Sequence, residues 1–214
     1  MRRNEKFVIT INRELGSGGR TVGRKLAEKL GVPFYDKAVI NALEEKFNLD
    51  VDEIEKLKGR SHTWWAELKH MLWIDESIDV TCYEPESQSA LTLETPTSAK
   101  MFKTEEEILR GIADEESCVI AGRAGFYVFR NHPNHLNILI QASMPFRLER
   151  VMRKQKLSEA EARKTIEKVD KMRENYVKEY TKTSRYDTRN YDLVISADGM
   201  SEDEIADMIL GYIK

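Results

Sequence analysis

The chain has 214 residues, 33% of them charged and 41% hydrophobic, with 34 Lys and Arg against 37 Asp and Glu for a net charge of −3. That length supports one domain with its own core, and the composition excludes a disordered or fibrous chain. A near-neutral balance argues against a broad nucleic-acid-binding surface but permits a local cationic pocket.

Two cysteines, Cys82 and Cys118, make no disulfide framework. The first apolar run, Phe7 to Ile11, is too short for a spanning helix or a signal-peptide core. The expectation is a cytoplasmic protein with no membrane or nucleic-acid partner.

Lys6 to Asn12 is a β-branched run expected to be a buried strand. It leads into Arg13-Glu14-Leu15-Gly16-Ser17-Gly18-Gly19-Arg20, a glycine-rich turn. In the helix expected over Thr21 to Leu30, Val22, Leu26 and Leu30 share one face, Gly31 ends it and Pro33 stops its continuation. Val32 to Tyr35 is a second strand, which completes a βαβ unit and implies a parallel sheet.

Asp36 to Leu57 is helical in pattern, with Val39, Leu43 and Phe47 at four-residue steps. Thr63 to Ile74 is expected to be another helix; core packing and a homodimer interface explain its Trp64, Trp65 and Trp73 equally. Glu84 to Ala99, polar and carrying Pro85 and Pro96, is expected to be a mobile loop or insertion. Thr104 to Asp114 is a helix in which Thr104 and Glu107 fit a capping box.

Ser117 to Ala121, Leu136 to Ala142 and Asp192 to Ser196 are the third, fourth and fifth strands. Pro145 to Lys154 and Ser158 to Tyr180 are charged helices, and Ser201 opens a closing helix with Ile205, Met208 and Ile209 inward. His132 and His135 form an H-x-x-H on a turn, expected to be two surface histidines. With no repeat and no linker, the chain reads as a single α/β domain, residues 1–214, built on about five parallel strands flanked by helices.

Gly16, Ser17, Gly18 and Gly19 sit between a strand and a helix. Glycines let backbone N–H groups converge on an anion, and a helix N-terminus adds partial positive charge. A tight turn without a ligand is the plainer reading of a glycine cluster; the strand-before, helix-after context favours phosphate. The pattern G-x-x-x-x-G-K-[ST] is not met. With Gly18 as its second glycine, the first falls on Arg13 and the lysine on Gly19. Arg13 and Arg20 are candidates to supply that charge, with a different geometry.

The stretch from Asn12 to Asp36, with Cys118 to Arg123, the helix at Ser158 to Tyr180 and Asn190 to Asp198, resembles the cytidylate kinase-like family. The resemblance implies a three-layer P-loop kinase fold, an acceptor-binding helical region over 36–116 and lid-like helices over 145–190. It implies ATP and Mg²⁺, held by the backbone of Gly16, Ser17, Gly18, Gly19, Arg20 and Thr21. It further implies that Arg123, following Gly122 at the end of the third strand, grips the acceptor phosphate, and that Asp36 lies on the acceptor side.

Asp170 and Arg173 interrupt an apolar stripe of Ile166, Val177 and Tyr180. A plain i,i+3 ion pair is one reading. The resemblance implies acceptor contact. Arg147, Arg150 and Arg153, at three-residue spacing, are either a solvated basic face or cations that close over a migrating phosphoryl group, with Arg150 and Arg153 the better placed. The resulting expectation is phosphoryl transfer from ATP to a small acceptor, a nucleoside monophosphate such as CMP. Its alternatives are a non-catalytic nucleotide-binding protein and a kinase for another metabolite. Gly19→Lys is the substitution expected to separate the first two.

Overall fold

In a computed structural model describing residues 1–46, 48–60, 64–66 and 99–213, strand β1 (Val8–Arg13) lies at the centre of a five-stranded sheet. It pairs in parallel with β3 (Cys118–Ala121) on one side and β4 (His135–Gln141) on the other. Strands β2 (Phe34–Asp36) and β5 (Leu193–Ser196) form the edges, giving the order β2-β3-β1-β4-β5. Val8, Ile9 and Ile11 are fully buried because helices cover both faces, as a parallel sheet requires.

Helix α1 (Gly19–Leu30) turns Val22, Leu26 and Ala27 toward one face, where Ile9, Ile11 and Phe34 meet them. Gly31, at φ 66°, ends it in the left-handed conformation, and its N–H returns to the carbonyls of Ala27 and Glu28. Helix α2 (Lys37–Lys46), α3 (Val51–Arg60) and α4 (Ala99–Glu115) cover the other face around Ile40, Leu43, Ile54, Ile108 and Ile112. A short α5 (Gly125–Val128) follows β3, and α6 (Met144–Gln155) and α7 (Glu159–Thr181) stand over the carboxyl end of the sheet's central strands. Helix α8 (Glu202–Tyr212) packs Ile205 and Ile209 against the α1 face.

Several expectations need correction. The helix expected from Asp36 to Leu57 is two helices. Asn48 takes a left-handed φ of 47°, and Asp50 Oδ1 caps α3 by accepting from the Glu53 N–H at 2.9 Å. The helix expected at Thr104 is already formed at Ala99, so Thr104 is interior and donates to the Lys100 carbonyl, while Glu107 pairs with Lys58. No capping box forms there. Ser158 and Ser201 do cap α7 and α8 with reciprocal Glu161 and Glu204 bonds. Met208 is 47% exposed instead of inward.

Residues 64–66 are helical, and Trp64 and Trp65 are buried in the α2–α4 core. The rest of the helix expected over Thr63 to Ile74, with Trp73, lies outside the described residues, as does the loop expected from Glu84, except Ala99. No helix among the described residues is long and apolar enough to cross a membrane.

His135 is no surface histidine. Its Nε2 lies 2.7 Å from Thr10 Oγ1, and the Thr10 hydroxyl donates to Asn137 Oδ1 at 2.5 Å. Because that hydroxyl has one proton, given to Asn137, His135 Nε2 carries a hydrogen and donates to Thr10. Its ring meets Phe129 edge-on, and burial pushes the imidazole down to about 4 from 6.5. A depressed base is neutral in the fold but protonates in the unfolded chain, so stability is lost as pH falls from 6.5 toward 4. Urea unfolding at pH 7.5 and 4.5 will show this group removing about 2–3 kcal/mol, and His135→Gln will reduce the difference by that amount. Gly125→Ala places a Cβ 2.7 Å from Thr10 Cγ2, so the urea midpoint will fall by the equivalent of about 1–3 kcal/mol.

Candidate active site

Strand β1 delivers the glycine turn to the N-terminus of α1. Gly16 and Gly18 take φ of 88° and 83°, in the left-handed region. A Cβ on Gly16 would lie 2.8 Å from the Arg147 carbonyl oxygen, so the chain there needs glycine twice over. Gly18 is the N-cap of α1; it has no side chain to cap the helix, and the first turn contains no acid. That leaves a helix N-terminus, carrying Gly19, Arg20 and Thr21, suited to an anion. Ser17 differs: its N–H and its hydroxyl both donate to the Glu14 carbonyl, at 3.3 and 3.0 Å, which closes the turn.

Arg13 runs across this turn. A Cβ on Gly19 would lie 2.5 Å from Arg13 Cβ, and a Cβ on Gly122 would collide with Arg13 Nη1. Its side chain therefore packs over both glycines, from the start of α1 to the end of β3. Position 19 cannot accept a lysine without displacing it, so Gly19→Lys does not separate catalysis from binding. Arg20 turns away to pair with Asp36, whose other oxygen accepts from the Ala38 and Val39 N–H groups at 3.0 and 3.2 Å. Asp36 thus caps α2 and holds Arg20.

The turn is anchored from above by α6 and α7. Leu15 N–H donates to Asp170 Oδ1 at 3.0 Å, and Arg147 Nε donates to the Leu15 carbonyl at 2.7 Å. Arg147 also pairs with Asp170 and, at 3.3 Å, with Glu14. Glu14 Oε2 accepts from the Ala142 N–H at 3.1 Å. Arg185, fully buried after α7, donates to the Arg13 carbonyl and approaches Asp170 at 3.6 Å; Arg173 Nη1 lies 3.4 Å from the same carbonyl.

This arrangement corrects two expectations. Asp170 joins Arg147, Arg185 and the turn instead of making a simple pair with Arg173. Among the three spaced arginines, Arg147 is the buried one, Arg150 pairs with Glu202 beside Gly18, and Arg153 is exposed.

At the end of β3, Gly122, Arg123 and Ala124 take successive left-handed φ of 85°, 53° and 50°. A non-glycine residue there costs about 1–3 kcal/mol, and such strain clusters at functional sites. Beside it opens a cavity of ≈ 240 Å³, lined by Arg13, Lys37, Arg123, Arg173 and Tyr176 among others. The Arg123 guanidinium sits 4.6 Å from the centre of the Tyr176 ring and pairs with Glu105 of α4. The Tyr176 hydroxyl donates to the same Glu105 oxygen at 3.0 Å. The structure thus gathers Arg13, Gly18, Gly19, Arg123 and Arg173 at the carboxyl end of the central strands, where open α/β sheets bind ligands.

Sequence reasoning passed over Glu14, Arg185 and Glu105 and ranked Arg147 last among its spaced arginines. Glu105 and Arg147 stand in runs of charge indistinguishable from solvated helix faces. Arg185 stands in a polar stretch that reads as loop.

A model described as the cytidylate kinase-like family matches residues 8–198. The cytidylate kinase of Sulfolobus acidocaldarius is 24% identical over 207 residues, covering 96% of this chain and 93% of that protein. A solved structure from Eubacterium ventriosum is 26% identical with a TM-score of 0.67, covering 97% of this chain and 98% of that one. Shikimate kinase from Bacteroides thetaiotaomicron, 15% identical, superposes with a TM-score of 0.51 over 96% of this chain and 97% of its own. That last likeness is one of fold, the P-loop kinase fold.

Asp170 is 8% exposed. Asp170→Ala, which leaves buried arginines without their carboxylate, will lower unfolding free energy by about 3–5 kcal/mol in urea titration. Asp170→Asn will lose less, because its amide oxygen still accepts from the Leu15 N–H.

Proposed function

The chain belongs to the cytidylate kinase-like family, and from that membership we propose that it transfers the terminal phosphoryl group of ATP to a nucleoside monophosphate such as CMP. The observation that carries this reading is the course of Arg13. Its side chain joins the uncapped N-terminus of α1 to the cavity beside Gly122, the two places that a phosphoryl donor and its acceptor would occupy.

In phosphoryl transfer the protein contributes mainly positioning and positive charge. The amides from Gly18 to Thr21 hold the donor phosphates, with Arg150 flanking them. Mg²⁺ brought in with the nucleotide would neutralise part of its charge. Arg13 takes the place of the absent P-loop lysine, reaching the phosphates from the strand side instead of from the helix. Arg173 and Arg123 lie on the acceptor side, while Asp36 and Asp170 act by holding Arg20 and the turn. Arg153, being exposed, contributes only through movement of the lid helices.

A second reading, nucleotide binding without turnover, is favoured by the Arg123–Glu105 ion pair, which already occupies the arginine assigned to the acceptor. A coupled phosphotransfer assay with ATP·Mg over a panel of nucleoside monophosphates separates the two. Turnover is the expected result, and Arg13→Ala will reduce kcat by about 10²–10³-fold, the usual effect of removing one group that stabilises transition-state charge. ATP binding in calorimetry with no turnover of any monophosphate would overturn the catalytic reading and leave the binding one.

A further inference from the structure

Glu105 stands on α4 as a carboxylate that is only 1% exposed. Withdrawing such a charge from water is costly, and an apolar side chain of similar size would fill the space at less expense. Its contacts give it a use. One oxygen, Oε2, accepts from both the Arg123 guanidinium and the Tyr176 hydroxyl, the latter at 3.0 Å. Arg123 and Tyr176 line the cavity, whereas Glu105 is not part of its wall.

The two donors come from different elements, Arg123 from the turn after β3 and Tyr176 from α7. They also meet each other, with the guanidinium 4.6 Å from the centre of the ring. Phe102, one turn before Glu105 on α4, meets the Tyr176 ring edge-on at 5.7 Å and stacks on Tyr180 at 4.6 Å. The Tyr176 ring is thus fixed by Phe102 and its hydroxyl by Glu105. Burial raises that hydroxyl above its ordinary range, against the pull of Arg123, so it stays a donor.

An arginine side chain is long and rich in rotamers, and ordering it weakens binding unless it is ordered beforehand. The backbone of Arg123 is already set in the left-handed region, between two other left-handed residues. Glu105 and the Tyr176 ring set the side chain. A carboxylate paired with such an arginine either holds it ready for a second oxyanion or blocks it. A blocking carboxylate would stand in the cavity, where the oxyanion goes. Glu105 grips Arg123 from outside the wall, which is the holding arrangement.

We propose that Glu105 is a positioning residue: by accepting from Arg123 and Tyr176 at one oxygen, it sets the guanidinium for the acceptor's phosphate and ties that setting to the docking of α7 on α4. The inference rests on the kinase reading, in which Arg123 lies on the acceptor side. It goes beyond that reading by giving a role to a residue that acts only through its neighbours.

The full chain is titrated calorimetrically with CMP, UMP, AMP and GMP, and the tightest binder is carried into the variants, with steady-state kinetics alongside. Glu105→Gln keeps an oxygen that accepts from Arg123, whereas Glu105→Met keeps the length and offers no comparable acceptor. Glu105→Met will weaken monophosphate binding and raise its KM about tenfold. Both kcat and ATP·Mg affinity will change by less than about threefold, since the loss is in binding the acceptor. Glu105→Gln will hold the affinity within about threefold of the wild type, because the accepting oxygen remains. Tyr176→Phe, which keeps the ring, will cost less than Glu105→Met and add little to it in the double variant.

A lower kcat at unchanged KM marks a merely structural role and overturns the proposal. Unchanged affinity in Glu105→Met, equal losses in the Gln and Met variants, or additive losses in the double variant overturn it too. Tighter binding by Glu105→Met is the mark of a blocking carboxylate and does the same. Where Glu105→Met does not fold, Tyr176→Phe decides, and an unaltered affinity overturns the role. Wild-type binding without turnover removes the catalytic reading alone, because the affinity comparison still decides the role of Glu105. Failure of all four monophosphates to bind the wild type overturns both.

Discussion

Asp170 is a carboxylate withdrawn from water, and Arg147, Arg185 and the Leu15 N–H keep it there. Withdrawing such charges is expensive; the attraction between them compensates only where the geometry is close and the remaining hydrogen-bonding capacity is used. Here that capacity is directed at a single object, the turn between β1 and α1. The carbonyls of Arg13 and Leu15, the N–H of Leu15 and the Glu14 carboxylate are all held from α6, α7 or the segment after α7. The turn thereby acquires a fixed shape that its glycines alone would not confer. The helices over the site and the turn beneath it are mechanically one unit, so a displacement of α7 reaches the α1 N-terminus directly.

With the turn held, its unusual chemistry becomes intelligible. A P-loop lysine would project from position 19, and here Arg13 fills the space where that side chain would start. The cation arrives from the strand side, two residues beyond the buried part of β1. Glycine at 19 and glycine at 122 are thus both required by one arginine, which threads between them. The three left-handed residues from Gly122 to Ala124 turn the chain sharply at that point and leave Arg123 beside the cavity.

Net charge proved a poor guide to this site. The chain is slightly acidic overall, yet Arg13, Arg123 and Arg173 line one cavity, and Arg147, Arg150 and Arg185 lie about the glycine turn beside it. Carboxylates accompany most of them: Glu14, Glu105, Asp170 and Glu202. Local excess, rather than the total, decides whether an anion is attracted. The same carboxylates fix the arginines in place, which preorganises the site at the expense of some of its positive potential.

The sequence by itself determined the five strands, the βαβ opening, the glycine turn and the family resemblance, because each is written in short-range pattern. A β-branched run flanked by glycine, or apolar residues every three or four positions, constrains local structure whatever surrounds it. It also singled out Arg13, since that residue adjoins the turn in the chain. Pattern failed where the deciding partner is distant. Thr104 and Glu107 satisfy the spacing of a cap, yet the chain is already helical at Ala99 and Glu107 answers to Lys58. Arg147 and Arg153 are equivalent members of a three-residue repeat, and only the docking of α6 on α7 and the turn buries one and exposes the other. A pair between Asp170 and Arg173, three positions along, was one reading of the spacing, but charges drawn out of water pair with whatever the fold brings nearest. Which elements exist was a matter of local propensity. Which charged groups meet was decided by tertiary structure, because ion pairing depends on distance in space and is blind to distance along the chain.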